Sequence, residues 1–152
     1  MRSRRNELRL VNSGFTLIEL VVVLLVLSIL ALIALPSYQD SVRRAKRAEA
    51  WAVLMKTMQQ QERYYSVHGS YAAFSAAKPQ SFIWYSGSSP EGSAYEISAA
   101  ACEGYTLKQC VMLTAEPGTQ RVQRSYSDPD CGSLSFNSAG KRSADGKSRT
   151  CW

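Results

Sequence analysis

Glu19 stands in an otherwise apolar setting: residues 15–35 read FTLIELVVVLLVLSILALIAL, and from Leu20 to Leu35 only Ser28 is polar. A carboxylate on a lipid-facing helix costs up to a few kcal/mol, so such a residue either reaches the headgroup layer or meets a positive partner. Cleavage between Gly14 and Phe15 would create that partner, a new amino group at Phe15 four residues before Glu19. In a packed bundle the Glu19 of one subunit would then neutralise the Phe15 amine of its neighbour. A buried polar pair of that kind sets axial register.

The remaining reactive side chains point to structure and surface charge rather than to catalysis. Cys102, Cys110, Cys131 and Cys151 fall in the last third, with no C-x-x-C pair and with the single histidine, His68, far away in sequence. Structural zinc usually draws on close ligand pairs, so two disulfides in an oxidising compartment are the better reading. Of the three pairings open to four cysteines, Cys102–Cys110 and Cys131–Cys151 each close a local loop; closing the second stabilises by about 3 kcal/mol in the chain-entropy view. The sequence shows no Gly-rich phosphate loop, no carboxylate pair at helical spacing and no nucleophile beside a base. No catalytic residue, metal site or cofactor is expected. His68 beside Gly69 reads as a solvated or capping residue at a helix end.

Three of the six net positive charges belong to the first fourteen residues, through Arg2, Arg4, Arg5 and Arg9 against Glu7. Two further basic clusters remain. Arg43, Arg44, Lys46 and Arg47 follow the apolar run closely and are expected to face lipid headgroups or a neighbouring subunit. Lys141, Arg142, Lys147 and Arg149, joined by Arg121 and Arg124 from an earlier loop, are candidate DNA-binding residues: a positive strip would hold phosphates without sequence preference and lose affinity with salt. Asp128, Asp130 and Asp145 dilute that strip.

The segment Gly14-Phe15-Thr16-Leu17-Ile18-Glu19-Leu20, after a short Arg-rich leader and before a long apolar run, resembles the type IV prepilin signature. Pro36 and the Tyr38 region resemble the same family, whose helix often kinks there. Glu62-Arg63-Tyr64-Tyr65 and Gly69-Ser70-Tyr71 look like the helix exit of many minor pilins. Gly140-Lys141 and Cys151-Trp152 are similar to a minor-pilin group that includes a receptor for DNA uptake. The resemblance implies cleavage after Gly14 and N-methylation of Phe15 by a prepilin peptidase, then export by pilus assembly machinery into a helical filament of pilin subunits. It implies an inner-membrane single-pass precursor and an extracellular filament, with roles in pilus assembly, adhesion or twitching motility. A DNA-binding receptor pilin of natural transformation and a pseudopilin of a type II secretion system are the alternatives.

These residues need elements to position them. Residues 1–14 form the basic leader. Residues 15–35 span about 31 Å as a helix, enough to cross a hydrocarbon core. The flanking charges tie on the positive-inside rule, and oxidised cysteines place the C-terminal part outside the cytoplasm. Residues 36–152 form the head. Pro36 predicts a bend at residues 34–37 before an amphipathic helix at about 38–67. Its core face is expected to carry Trp51, Leu54, Met55, Met58 and Tyr65, with Arg43, Arg47, Lys56, Gln60 and Arg63 opposite. An irregular, aromatic-rich connection at about 68–93 leads to strands at 95–101, 110–115 and 134–136, with a turn at 137–140. The fold class is α+β: one long helix, half transmembrane and half amphipathic, on an antiparallel sheet with disulfide-closed loops.

Overall fold

The computed structural model describes residues 14–148 and 150–152. Most of the basic leader and Arg149 lie outside the described residues. The chain divides into two compact units, one ending at Asp40 and one covering Ser41–Trp152.

Helix α1 runs Leu17–His68. Thr16 caps it: its hydroxyl oxygen accepts the Glu19 backbone N–H at 3.3 Å, filling one of the orphan donors of the first turn. The apolar stretch that follows is exposed throughout. Its lone hydroxyl, Ser28, donates back to the Leu24 carbonyl at 2.6 Å, which satisfies it within the helix. The helix runs through Pro36, which lies inside one continuous element, in keeping with the single long helix expected from the sequence. Gly69 ends α1 with φ +68°, its N–H bonding to the Tyr65 carbonyl at 2.8 Å. That left-handed conformation suits glycine after a helix.

In the head, residues 41–68 of α1 lie against an antiparallel meander of β1 (Tyr95–Ala101), β2 (Val111–Pro117), β3 (Leu134–Asn137) and β4 (Arg142–Ala144), ordered β1-β2-β3-β4. Two cross-strand rows fill the inner face. Ile97, Ala115, Leu134 and Ala144 make one, and Ala99, Leu113, Phe136 and Arg142 the other. The buried–half-buried alternation of β1 to β3 follows from this two-residue period. Against these rows α1 buries Arg47, Ala50, Leu54, Thr57, Met58 and Gln61. Trp51 and Tyr65 are half-buried and Met55 is exposed, so the core face is rotated from the one apolar spacing suggests. Gln61 replaces an apolar contact by a reciprocal pair with Ala72, donating to its carbonyl at 2.7 Å and accepting its N–H at 2.9 Å.

The connection at 70–93 covers the outer edge of β1 through bridges Phe74–Ala99 and Tyr85–Glu96, which removes a free strand edge. Phe74 and Phe82 stack at 4.9 Å beneath it. β4 answers to no alternating apolar signal and was not expected from the sequence; its register on β3 and the loop after it hold it in place.

Candidate functional site

The two disulfides, Cys102–Cys110 and Cys131–Cys151, close the loops at opposite ends of the sheet. Around the second, the chain after β4 forms a strap on the segment before β3. Asp145 N–H bonds to the Ser133 carbonyl, Gly146 N–H to Cys131 and Ser148 N–H to Asp130, at 3.1, 2.9 and 3.2 Å. Gly146 is obligatory there, because a Cβ would collide with the Asp130 carbonyl oxygen.

A buried ionic cluster anchors this end to the helix. Arg47 donates from Nε and Nη2 to the two carboxylate oxygens of Asp128, both at 2.6 Å, and from Nη2 to Asp130 at 3.1 Å. Arg43 adds a 3.7 Å contact to Asp130. The Tyr95 hydroxyl donates to Asp128 at 2.6 Å, and the Cys131 N–H donates to it at 3.1 Å. Burial pushes the Asp128 carboxyl up, but the hydrogen bonds from Arg47, Tyr95 and the Cys131 amide outweigh it and hold Asp128 below its ordinary value. Burial, then the bond to Asp128, raises the Tyr95 phenol well above its ordinary value. Arg47 is therefore not on the polar side of the helix, and it does not face lipid or a neighbour. A long side chain with a planar fork can cross into a loop's carboxylates, and apolar periodicity carries no sign of that.

The candidate DNA-binding residues fall into separate groups. Arg121 and Arg124 lie in the β2–β3 connection, on the part joined to the start of β1 by Gln123 N–H to the Ser93 carbonyl. Lys147 lies on the strap, against the other part of that connection. Lys141 sits at the opposite end of β4, in the Asn137–Lys141 turn. All four are exposed. Arg142 is partly engaged: its guanidinium lies 4.2 Å above the Trp51 ring, and Trp51 meets Phe136 and Trp152 edge-on at 5.2 and 5.1 Å. None of these five cations makes an ion pair with a described residue. His68 is exposed, stacks on Tyr64 at 3.9 Å and contacts the Tyr64 carbonyl through Nδ1 at 3.0 Å. Among the described residues no group of three or more potential metal ligands comes together.

Sequence reasoning missed Thr16, although T-x-x-E before an apolar run is a legible capping signal. It also missed the Arg47–Asp128 pair, which has no local signal.

A capped apolar helix, exposed along residues 15–35 and continuing into a disulfide-closed α+β head, defines a subunit that must bury its helix in a membrane or among copies. Residues 9–35 match the prokaryotic N-terminal methylation motif, and residues 36–135 match the family described as type IV minor pilin ComP, DNA uptake sequence receptor. The chain belongs to this minor pilin family. It is a subunit of a type IV pilus, an inner-membrane precursor that assembles with other pilins into the filament; the family is one of structural proteins. No curated protein matches the sequence. Among solved structures, a type IV pilin from Shewanella oneidensis is 29% identical, covering 71% of this chain and 94% of that one, with a TM-score of 0.45. The non-core minor pilin PilV of Neisseria meningitidis is 18% identical, covering 73% and 94%, with a TM-score of 0.49.

Proposed function

We propose that this minor pilin is a DNA receptor carried on its pilus. Prepilin peptidase cleaves the leader between Gly14 and Phe15 and methylates Phe15, residues 15–35 enter the filament core through the assembly machinery, and residues 36–152 form the displayed head. A pseudopilin would share the first 35 residues, but the match over residues 36–135 is to minor pilins. No catalytic step belongs to this function.

The observation that carries the proposal is where the carboxylates go. Of the three carboxylates that in sequence dilute the distal positive charge, Asp128 and Asp130 are turned to Arg47 and Arg43, and Asp145 stays exposed on the strap. Arg121, Arg124 and Lys141 thereby face solvent without a paired carboxylate, and Lys147 has only Asp145 on its strap, so the four present net positive charge to an external anion. The family description, a DNA uptake sequence receptor, names the anion's class.

The test is a titration of labelled duplex DNA against the full chain in zwitterionic lipid nanodiscs at several salt concentrations. The expected result is binding whose logarithm falls linearly with log salt, by about 0.9 per phosphate contact. Replacing Arg121, Arg124, Lys141 and Lys147 by Gln abolishes it, and each single replacement lowers the slope by about 1. Absence of binding at low salt leaves a structural subunit with solvated distal charges.

A further inference from the structure

The end of the sheet away from the ionic cluster holds a cleft of about 370 Å³, between the loop closed by Cys102–Cys110 and the β3–β4 turn. That volume falls within the roughly 300–1,000 Å³ of small-molecule sites. Tyr71, Tyr105, Gln109, Asn137 and Ser138 line it together with the disulfide, and no charged residue does.

Its walls are fixed. Cys110 N–H bonds to the Thr106 carbonyl at 3.0 Å, and Tyr71 N–H to the Leu107 carbonyl at 2.9 Å. The Tyr65 hydroxyl donates to the Lys108 carbonyl at 3.2 Å. Across the cleft, Ser138 exchanges hydrogen bonds with Val111, N–H to carbonyl at 3.0 Å and N–H to hydroxyl at 3.3 Å.

Two amide side chains are held in a particular sense. The Gln109 oxygen accepts both the backbone N–H and the hydroxyl of Thr106, at 3.1 and 3.0 Å. The Asn137 oxygen accepts the N–H groups of Ala139 and Lys141, at 3.1 and 2.8 Å. With both oxygens committed to the turns, each NH2 group is left as a donor, and neither has an acceptor among the described residues. Tyr105 is 59% exposed and its hydroxyl makes no described hydrogen bond.

Fixed N–H donors, a free phenol and the exposed Tyr105 face suit a ligand that offers hydroxyl acceptors on its edge and C–H groups on its face. A phosphate would find no cation in the lining, and a purely apolar ligand would leave the amide donors unpaired. We propose that this cleft binds a short neutral saccharide, with Tyr105 as the stacking platform and the Gln109 and Asn137 amides donating to sugar hydroxyls. This goes beyond the DNA-receptor reading and does not depend on it.

The test uses the full chain in zwitterionic lipid nanodiscs, free of glycosidic detergent, against a panel of neutral oligosaccharides with sialylated and sulfated counterparts. Saturable binding of a neutral member is expected, unchanged as salt rises. Tyr105→Ala weakens it by about tenfold, the scale of one aromatic contact, while Tyr105→Phe stays within about threefold. Arg121→Gln with Arg124→Gln leaves it unchanged. No saturable binding across the panel overturns the proposal. So does binding confined to anionic members and lost with salt, or binding unaffected by Tyr105→Ala. A Tyr105→Ala variant that loses duplex DNA and keeps any saccharide binding assigns the cleft to nucleic acid instead.

Discussion

Arg47 and Asp128 are each useful only in the presence of the other. Their side chains are 9% and 0% exposed, so removing one leaves a buried charge with no counterpart, a loss of about 3–5 kcal/mol. Arg47→Ala is expected to lower head stability by that amount at neutral pH, read by guanidinium denaturation with the tryptophan fluorescence of Trp51, Trp84 and Trp152. The same measurement as a function of pH isolates Asp128. Its folded value lies below the ordinary carboxylate value, so its contribution is complete above about pH 3.9 and is lost as pH falls through the depressed folded value. Wild-type stability from this group is therefore flat from neutral pH down to about 5 and declines below about 4. An Arg47→Ala head, lacking the strongest of the bonds that depress Asp128, should show a shallower acid decline. An equal decline in both would move the acid sensitivity to another carboxylate.

The strap after β4 is the element that joins the second disulfide to the ionic cluster, and Gly146 is its tightest point. Gly146→Ala forces the backbone of residues 145–148 away from Asp130, breaking the N–H bonds from Gly146 and Ser148. The expected outcome is faster amide hydrogen exchange at 142–148 with β1 and β2 unchanged; uniform exchange across the sheet would mean the strap adds nothing local. This element also marks where sequence reading stopped. The strands read at 95–101 and 134–136 were legible because half-buried strands alternate, and the Gly14–Glu19 motif because its residue types sit at fixed spacing. β4 is Arg-Ser-Ala, with one inward residue an arginine resting on Trp51, so no hydrophobic pattern could reveal it. The helix face was misread for a related reason. Its buried arc contains Arg47, Thr57 and Gln61, and Arg47 and Gln61 find their partners in loops outside the helix. Counting apolar residues alone therefore turned the face toward Met55.

For the chain as a whole, the unanswered surface is the apolar helix. Phe15, Leu17 and Ile18 are 83, 81 and 72% exposed, and the apolar side chains that follow are about half exposed or more. In the proposed assembly, lipid would cover them in the precursor and the helices of other subunits in the pilus. Glu19 fits neither environment as a lone charge, since a carboxylate in hydrocarbon costs a few kcal/mol, less near the end of a span. In the membrane its place in the first turn of the helix lets it reach the headgroups. Within the proposed filament core that escape would be gone, and a cation would have to come from a neighbour. The amine that the proposed cleavage would create at Phe15 is such a cation. Glu19→Ala removes the need for a partner and so is harmless to membrane insertion, but it also removes the attraction that selects the axial position of the incoming subunit. The expected result is normal amounts of the variant in the membrane fraction, with the head oxidised and folded, and its loss from sheared filaments. Equal recovery of wild type and Glu19→Ala from filaments would show that apolar packing alone recruits the subunit, and would leave Glu19 to the headgroup layer.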